Sequence, residues 1–257
     1  MKDVVSSRFD FEILDETADW IVLSKPAPLQ IHPSKPADRG YTLWDGLRAM
    51  LSFELTNGGQ ISIINRLDRE TSGVVLVAKS PAAARRFGKA MMRRQMKKTY
   101  LAIVQGWPSW TEQTIDAPIR RQGEVMPSVV WVKQMVHEGG VPCLSHFRVL
   151  HQWQHAYGPC ALIEASPHTG RMHQLRVHLS HLGHPVVGDK LYGPSETHYL
   201  EFMNTGWTPT LENHLFLRRQ ALHSHTLTVQ DTDSPLEWKA PLPSDLREFL
   251  PAGLPLF

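Results

Sequence analysis

Val74–Ala78 is an unbroken run of five apolar residues, and no apolar run in the chain is longer. A run that short falls far short of the roughly 20 residues needed to span a membrane, and with its polar flanks Val74–Lys79 reads as a continuous apolar strand. Asn65–Gly73 on its N-terminal side is polar and charged, which makes it a loop entering the strand. On the other side, Ser80 supplies an N-cap and Pro81 occupies the first helical position, predicting a helix that runs to about Gln95.

Elsewhere the pattern is richer in strands than in helices. Phe11–Leu14 and Trp20–Ser24 flank the acidic turn Asp15–Asp19 as a hairpin. Lys25–Pro36 holds four prolines and is a loop carrying Lys25 and His32. Thr42 and Asp45 resemble a capping box opening a helix to about Leu51. Ile61–Ile64, Thr99–Gln105, Leu144–Trp153, Cys160–Ser166 and Leu222–Val229 read as strands, and Ser244–Leu250 as a short helix. Trp107–Pro142 reads as strands joined by long loops. Thr169 and Gly170 lead into a helix to about Leu182, with Met172, Leu175, Leu179 and Leu182 as its apolar stripe and Gly183 as its stop. Strands do not alternate regularly with helices. The expected fold is therefore α+β, a mixed and mostly antiparallel sheet flanked by helices. No repeat, low-complexity tract or Gly/Ser linker divides the 257 residues, so the expectation is one domain over 1–257.

Composition narrows the function. An apolar fraction of 42% with 20% charged residues is that of a globular chain with a core of its own. Cys143 and Cys160 lack CxxC spacing and read as reduced, buried thiols. Met1–Asp10 has charges but no apolar stretch behind them, and with no membrane span the chain reads as cytoplasmic. A net charge of +2 does not by itself announce a polyanion partner. The distribution is more telling: Arg85, Arg86, Lys89, Arg93, Arg94, Lys97 and Lys98 follow one another with no acidic residue among them, either a solvated helix face or a face for nucleic acid.

There is no GxxxxGK[ST], GxGxxG or GxSxG, which favours chemistry without a nucleotide cofactor. Two dense polar segments remain. In Asn65–Gly73, Asp68 lies between Arg66 and Arg69, and reads either as a reactive carboxylate on a strand-end loop or as a turn aspartate. In Pro167–His178, Arg176 comes from a rigid helix beside the core and wants a carboxylate, for which Asp68 is the candidate. His173, His178, His181 and His184 lack a metal-ligand spacing and read as surface or phosphate-contacting histidines, so no metal is expected.

Arg66-Leu67-Asp68 with Thr71-Ser72-Gly73, then Lys98-Thr99-Tyr100-Leu101-Ala102, then Thr169-Gly170-Arg171-Met172-His173-Gln174-Leu175-Arg176, resemble in order and separation the signature segments of RluA-type pseudouridine synthases. Lys25-Pro26, Gly183-His184-Pro185, Gly188-Asp189-Lys190-Leu191-Tyr192-Gly193 and Ala221-Leu222-His223-Ser224 extend the likeness over nearly the whole chain. Asn65 stands where the family usually has His, and Pro28 where it usually has Gly. With Lys25-Pro26 so near the start, an N-terminal S4-like domain is not expected.

The resemblance implies isomerisation of uridine to pseudouridine in ribosomal or transfer RNA, without cofactor and with the target base flipped out of its stack. It implies Asp68 as the catalytic carboxylate, by attack on the ribose or removal of its 2′ proton, Tyr100 as the aromatic stacked on the uracil, and Arg176 as the ion-pair arginine. Arg66, Arg171, His173, Arg93, Arg94, Lys97 and Lys98 become the RNA contacts, with the helix start at Gly170 offering amides to phosphate. No obligatory protein partner is implied. Two other readings are a glycosidase-like hydrolase, for which Glu70 or Asp189 is a weak second carboxylate, and an RNA-binding module without catalysis.

Overall fold

The computed structural model describes residues 11–231 and 234–254. The reading of Met1–Asp10 lies outside them. In chain order the strands and helices are β1 (Glu12–Glu16), β2 (Trp20–Lys25), α1 (Leu43–Met50), α2 (Ser52–Thr56), β3 (Ser62–Ile63), β4 (Ser72–Ala78), α3 (Pro81–Met92), β5 (Met96–Gln105), β6 (Glu112–Asp116), β7 (Ile119–Arg121), β8 (Gln134–Val136), β9 (Leu144–His155), β10 (Gly158–Pro167), α4 (Gln174–His181), α5 (Thr197–Thr205), α6 (Pro209–Leu215), β11 (Leu222–Val229), β12 (Leu236–Lys239) and α7 (Ser244–Phe249). They form two compact units: one holds the chain through Lys98 with His223–Phe249, the other Thr99–Leu222 with 250–254. Among the described residues no helix is long and apolar enough to cross a membrane.

In the first unit β4 is central, buried along its whole length. Antiparallel β2 pairs with it from Trp20↔Ala78 to Lys25↔Gly73, and β1 continues the hairpin outward. β3 adds an antiparallel rung pair at Ser62↔Ala78 and Ile63↔Val77. β11 runs parallel to β4 at His223↔Ser72 and Ser224↔Gly73, and this parallel pairing makes the sheet mixed. It also dictates Gly73: its φ is +115°, and a Cβ there would lie 2.1 Å from the Ser224 carbonyl oxygen, so only glycine fits. Helix α3 starts as its sequence specifies, with the Ser80 hydroxyl accepting from the Ala83 amide and Pro81 in the first turn. It lays Ala83, Phe87 and Ala90 against Val74, Leu76, Ala78, Leu227 and Val229. Burying a side chain the size of Phe87 contributes about 1.5–3 kcal/mol.

The helix ends earlier than its basic run. Arg93 is the C-cap and Arg94 adopts a left-handed φ of 57°, closing α3 at Met92. Lys97 and Lys98 belong to β5, where alternation takes over, so the basic residues line a helix, a turn and a strand rather than one helix to Gln95.

In the second unit the Thr99–Gln105 part of β5 pairs antiparallel with β10, β10 with β9 and β9 with β6, with β7 and β8 as a separate small ribbon. The strands predicted at Leu144–Trp153 and Cys160–Ser166 are the two arms of one long hairpin. Ile119, Val130, Cys143, Leu191 and Tyr192 form a core cluster with Val177 of α4. Cys143 and Cys160 are free and buried, and burial pushes the Cys160 thiol up to about 11. Helices α2, α5 and α6 and strand β12 have no counterpart in the sequence reading.

Candidate active site

Asp68 sits half-buried in the loop between β3 and β4, after exposed Arg66 and buried Leu67. The Asp68 carbonyl accepts from the Thr71 amide at 3.1 Å, closing a turn directly behind it. Two anchors hold this loop. Lys25, with no exposed surface, donates from Nζ to the carbonyl oxygens of Pro26 (2.9 Å), Leu29 (2.7 Å) and Arg69 (3.2 Å), and the Leu29 amide also donates to Arg69 O at 2.9 Å. The proline-rich loop is thereby tied to the residue after Asp68. At the other end the Asn65 side chain bonds the backbone of β4 through both of its polar atoms. Beyond the loop the Ser72 hydroxyl lies 2.9 Å from His223 Nδ1, while His223 Nε2 lies 3.2 Å from the Ala240 carbonyl. A carbonyl only accepts, so Nε2 bears a proton. Burial, and then the charge of Arg66, hold the His32 imidazole below its ordinary value.

Tyr100 is buried on β5 opposite Ala165 of β10. Arg176 projects from the first turn of α4 and is also buried. It makes a two-pronged ion pair with Asp189, Nε to Oδ2 at 2.6 Å and the second nitrogen to Oδ1 at 2.9 Å. Asp189 is fully buried; its Oδ1 also accepts from the amides of Leu191 (2.9 Å) and Tyr192 (3.0 Å). Burial alone would raise this carboxyl, but the guanidinium and the amide donors outweigh it and hold the group below its ordinary value. Gly188 places Asp189: at φ +76°, a Cβ on it would lie 1.9 Å from the Arg219 carbonyl oxygen. The guanidinium lies 4.9 Å from the centre of the Tyr192 ring, whose hydroxyl bonds His173 Nδ1 at 2.7 Å and accepts from the Gln134 amide at 2.9 Å.

Helix α4 begins at Gln174, four or five residues later than its sequence suggests, with His173 in a left-handed conformation (φ 58°) just before it. The reason is the Gln174 side chain. Its Oε1 accepts from the Thr169 hydroxyl (2.8 Å) and the Arg171 amide (3.0 Å), and its Nε2 donates to Leu144 O and Ser145 Oγ, each at 2.8 Å, so 169–173 is a hydrogen-bonded loop. The Arg171 amide is thus already used, and no helix start at Gly170 offers amides to phosphate. Met172, expected in the apolar stripe, is exposed. His178 is a further correction: it is fully buried, neither a surface nor a phosphate-contacting histidine. Its Nε2 donates to Ala117 O at 3.0 Å, its Nδ1 accepts from Ser145 at 2.9 Å, and burial above all holds its pKa below the ordinary value.

Of the other basic candidates, Arg66, Arg93, Arg94, Lys97 and Arg171 are exposed, whereas Lys98 and His173 are half-buried and burial lowers the Lys98 pKa. Arg86, part of the same basic run, is committed to structure by a two-pronged pair with Asp231 (2.6 and 2.8 Å) above Trp20 and Phe87. Among the described residues no group of three or more His, Cys, Asp or Glu side chains is arranged to hold a metal.

Comparison with known proteins places these loops in a family. A family model described as RNA pseudouridylate synthase matches residues 19–181, which include Asp68, Tyr100 and Arg176. The chain belongs to the RNA pseudouridylate synthase family. An uncharacterized RNA pseudouridine synthase of Chloroflexus aurantiacus is 37% identical over 228 residues, 87% of this chain and 63% of that protein. The uncharacterized RNA pseudouridine synthase YlyB of Bacillus subtilis is 32% identical, covering 96% of this chain and 74% of its own length. Ribosomal large subunit pseudouridine synthase D of Nitrosomonas europaea is 34% identical, with coverage of 94% and 64%. The chain thus spans about two thirds of the length of these relatives. Among solved structures, human RNA Pseudouridylate Synthase Domain Containing 1 superposes with a TM-score of 0.68 at 26% identity, covering 94% of this chain and 86% of that one.

Sequence reasoning misses the structural part that several residues of these segments play. Asp189 reads from the sequence only as a weak second carboxylate, although the Gly188–Gly193 segment is part of the family likeness; the signal is there, without a partner for it. Lys25 and Gln174 lie inside recognisable motifs, but nothing in their spacing shows that one binds three carbonyls and the other reshapes a helix start.

Proposed function

We propose that this chain isomerises specific uridines in structured RNA to pseudouridine, with Asp68 as the catalytic carboxylate and no cofactor. The observation that carries the reading is the Asp68 loop: a half-buried carboxylate on a family signature segment, held at one end by Lys25 and at the other by Asn65. Such anchoring suits a group that must meet a reacting atom within a fraction of an ångström.

In the proposed reaction the bond from N1 to the ribose C1′ breaks, the base turns, and C5 bonds to the same carbon. C5 loses a proton and N1 gains one, so neither composition nor oxidation state changes. Asp68 acts ionised, whether toward C1′ or the 2′ proton. Tyr100 stacks on the flipped uracil and its hydroxyl helps move the C5 proton, and Arg176 is the family's ion-pair arginine. Arg66 contacts the strand left behind. Arg93, Arg94, Lys97, Lys98, Arg171 and His173 bind the RNA backbone. The catalytic domain is taken to extend over 1–257, acting in the cytoplasm. Relatives named for the ribosomal large subunit favour ribosomal over transfer RNA as the substrate.

Incubation with uridine-containing transcripts tests this. The expected product is a rearranged base of unchanged mass. Release of free uracil, strand scission, or complex formation without product would contradict it.

A further inference from the structure

Asn65, where the family usually has His, is 2% exposed and adjoins the point where β3 stops. The β3 ladder to β4 runs through Ile63↔Val77 and ends with the Ile64 amide donating to the Leu76 carbonyl at 2.8 Å. The next rung is made by a side chain. Asn65 Oδ1 accepts from the Leu76 amide at 2.8 Å, and Asn65 Nδ2 donates to the Val74 carbonyl at 2.8 Å. Both β4 residues have no exposed surface, so water is not at hand to replace these bonds.

We propose that Asn65 is a positioning residue for Asp68: its amide takes the rung that the main chain gives up, and so fixes where the catalytic loop leaves the sheet. The claim rests on the assignment of Asp68 as the catalytic carboxylate. A planar primary amide suits this task because it presents one donor and one acceptor along a single edge, as the N–H and C=O of one strand residue do toward a neighbouring strand. Aspartate, of the same shape, turns an acceptor toward the Val74 carbonyl. An imidazole carries its donor and acceptor on divergent edges and does not match both groups of one strand. From this rung the chain has three residues to reach Asp68, and the Thr71 amide then closes the turn on the Asp68 carbonyl.

The test compares Asn65→Ala and Asn65→Asp with the wild-type chain in three measurements: single-turnover pseudouridine formation on a transcript, affinity for that transcript, and amide hydrogen exchange. Both variants are expected to turn over about tenfold to a hundredfold more slowly while affinity stays within about twofold, the mark of a group that acts on the reacting geometry rather than on binding. The amides of Leu76 and Thr71 are expected to exchange faster, and that of Ile163 in β10 to be unchanged. Wild-type turnover in both variants, a loss of affinity matching the loss of rate, or unaltered exchange at Leu76 and Thr71 overturns the proposal. Should Asn65→Ala fail to fold, the isosteric Asn65→Asp is read by the same three measurements. Should the wild-type chain make no pseudouridine, the assignment of Asp68 falls and the positioning role with it, whereas exchange at Leu76 and Thr71 separately decides whether Asn65 holds the loop.

Discussion

Asn65 in the first unit and Arg176 in the second each tie a signature segment to the fold, one with a neutral amide and the other with a charge. The amide answers two backbone groups of β4 and brings no charge into the interior. The guanidinium is answered by Asp189, itself fully buried and held by two backbone amides. A neutral rung is insensitive to pH, and its loss leaves two orphaned dipoles. A buried ion pair depends on both partners being ionised, and the loss of either strands a charge away from water.

The largest difference should appear on removing the cation. Arg176→Met is expected to destabilise the protein by about 3–5 kcal/mol in urea unfolding at pH 7, because Asp189 is left buried and unpaired. The sign of its pH dependence comes from the depressed Asp189 pKa: the pair's contribution is fully present above the unfolded carboxyl value of 3.8 and is lost as the pH falls through the folded one. The gap between wild type and Arg176→Met should therefore narrow in acid. Asn65→Ala is expected to cost less, about 2 kcal/mol, with a penalty that stays constant from pH 5 to 9; a penalty that changes with pH would erase the contrast between the two anchors.

A smaller effect is expected at His178, which is buried within the second unit and whose folded pKa lies below 6.5. The unfolded chain takes up that proton first, so stability is present above pH 6.5 and declines as the pH falls below it. Urea midpoints measured between pH 8 and pH 5 should fall less in His178→Gln than in wild type; equal falls would remove His178 from the account. Smallest of all, Lys97→Ala should leave stability within about 0.5 kcal/mol while making the salt dependence of RNA binding shallower by about 0.7–0.9 in log–log slope. An unchanged slope would take Lys97 out of the interface.

The two regions also differ in how far sequence alone reveals them. Around Asp68 the signals are local: an apolar strand preceded by a charged loop, and Ser80 with Pro81 to start α3. Each states its structure within a few residues, and β4 and α3 result. Around Arg176 the determinants lie far apart in sequence. Gln174 reaches back to Leu144 and Ser145, and Asp189 meets Arg176 only because the turn at Gly188 brings it there. A periodicity reading therefore starts α4 too early and exposes a buried histidine. A run of like charges suggests a solvated helical face that takes in Lys97 and Lys98, but the left-handed Arg94 ends that helix and alternation governs the strand beyond it. Helix α6 escapes the same reading although Thr208 and Pro209 mark its start with the kind of cap that identifies α3.

In the proposed reaction the carboxylate of Asp68 does the chemistry. Asp68→Asn preserves the shape of the side chain, so RNA affinity measured on a uridine-containing transcript should stay near the wild-type value while single-turnover pseudouridine formation falls below detection. Product formed by Asp68→Asn at the wild-type rate would contradict the account.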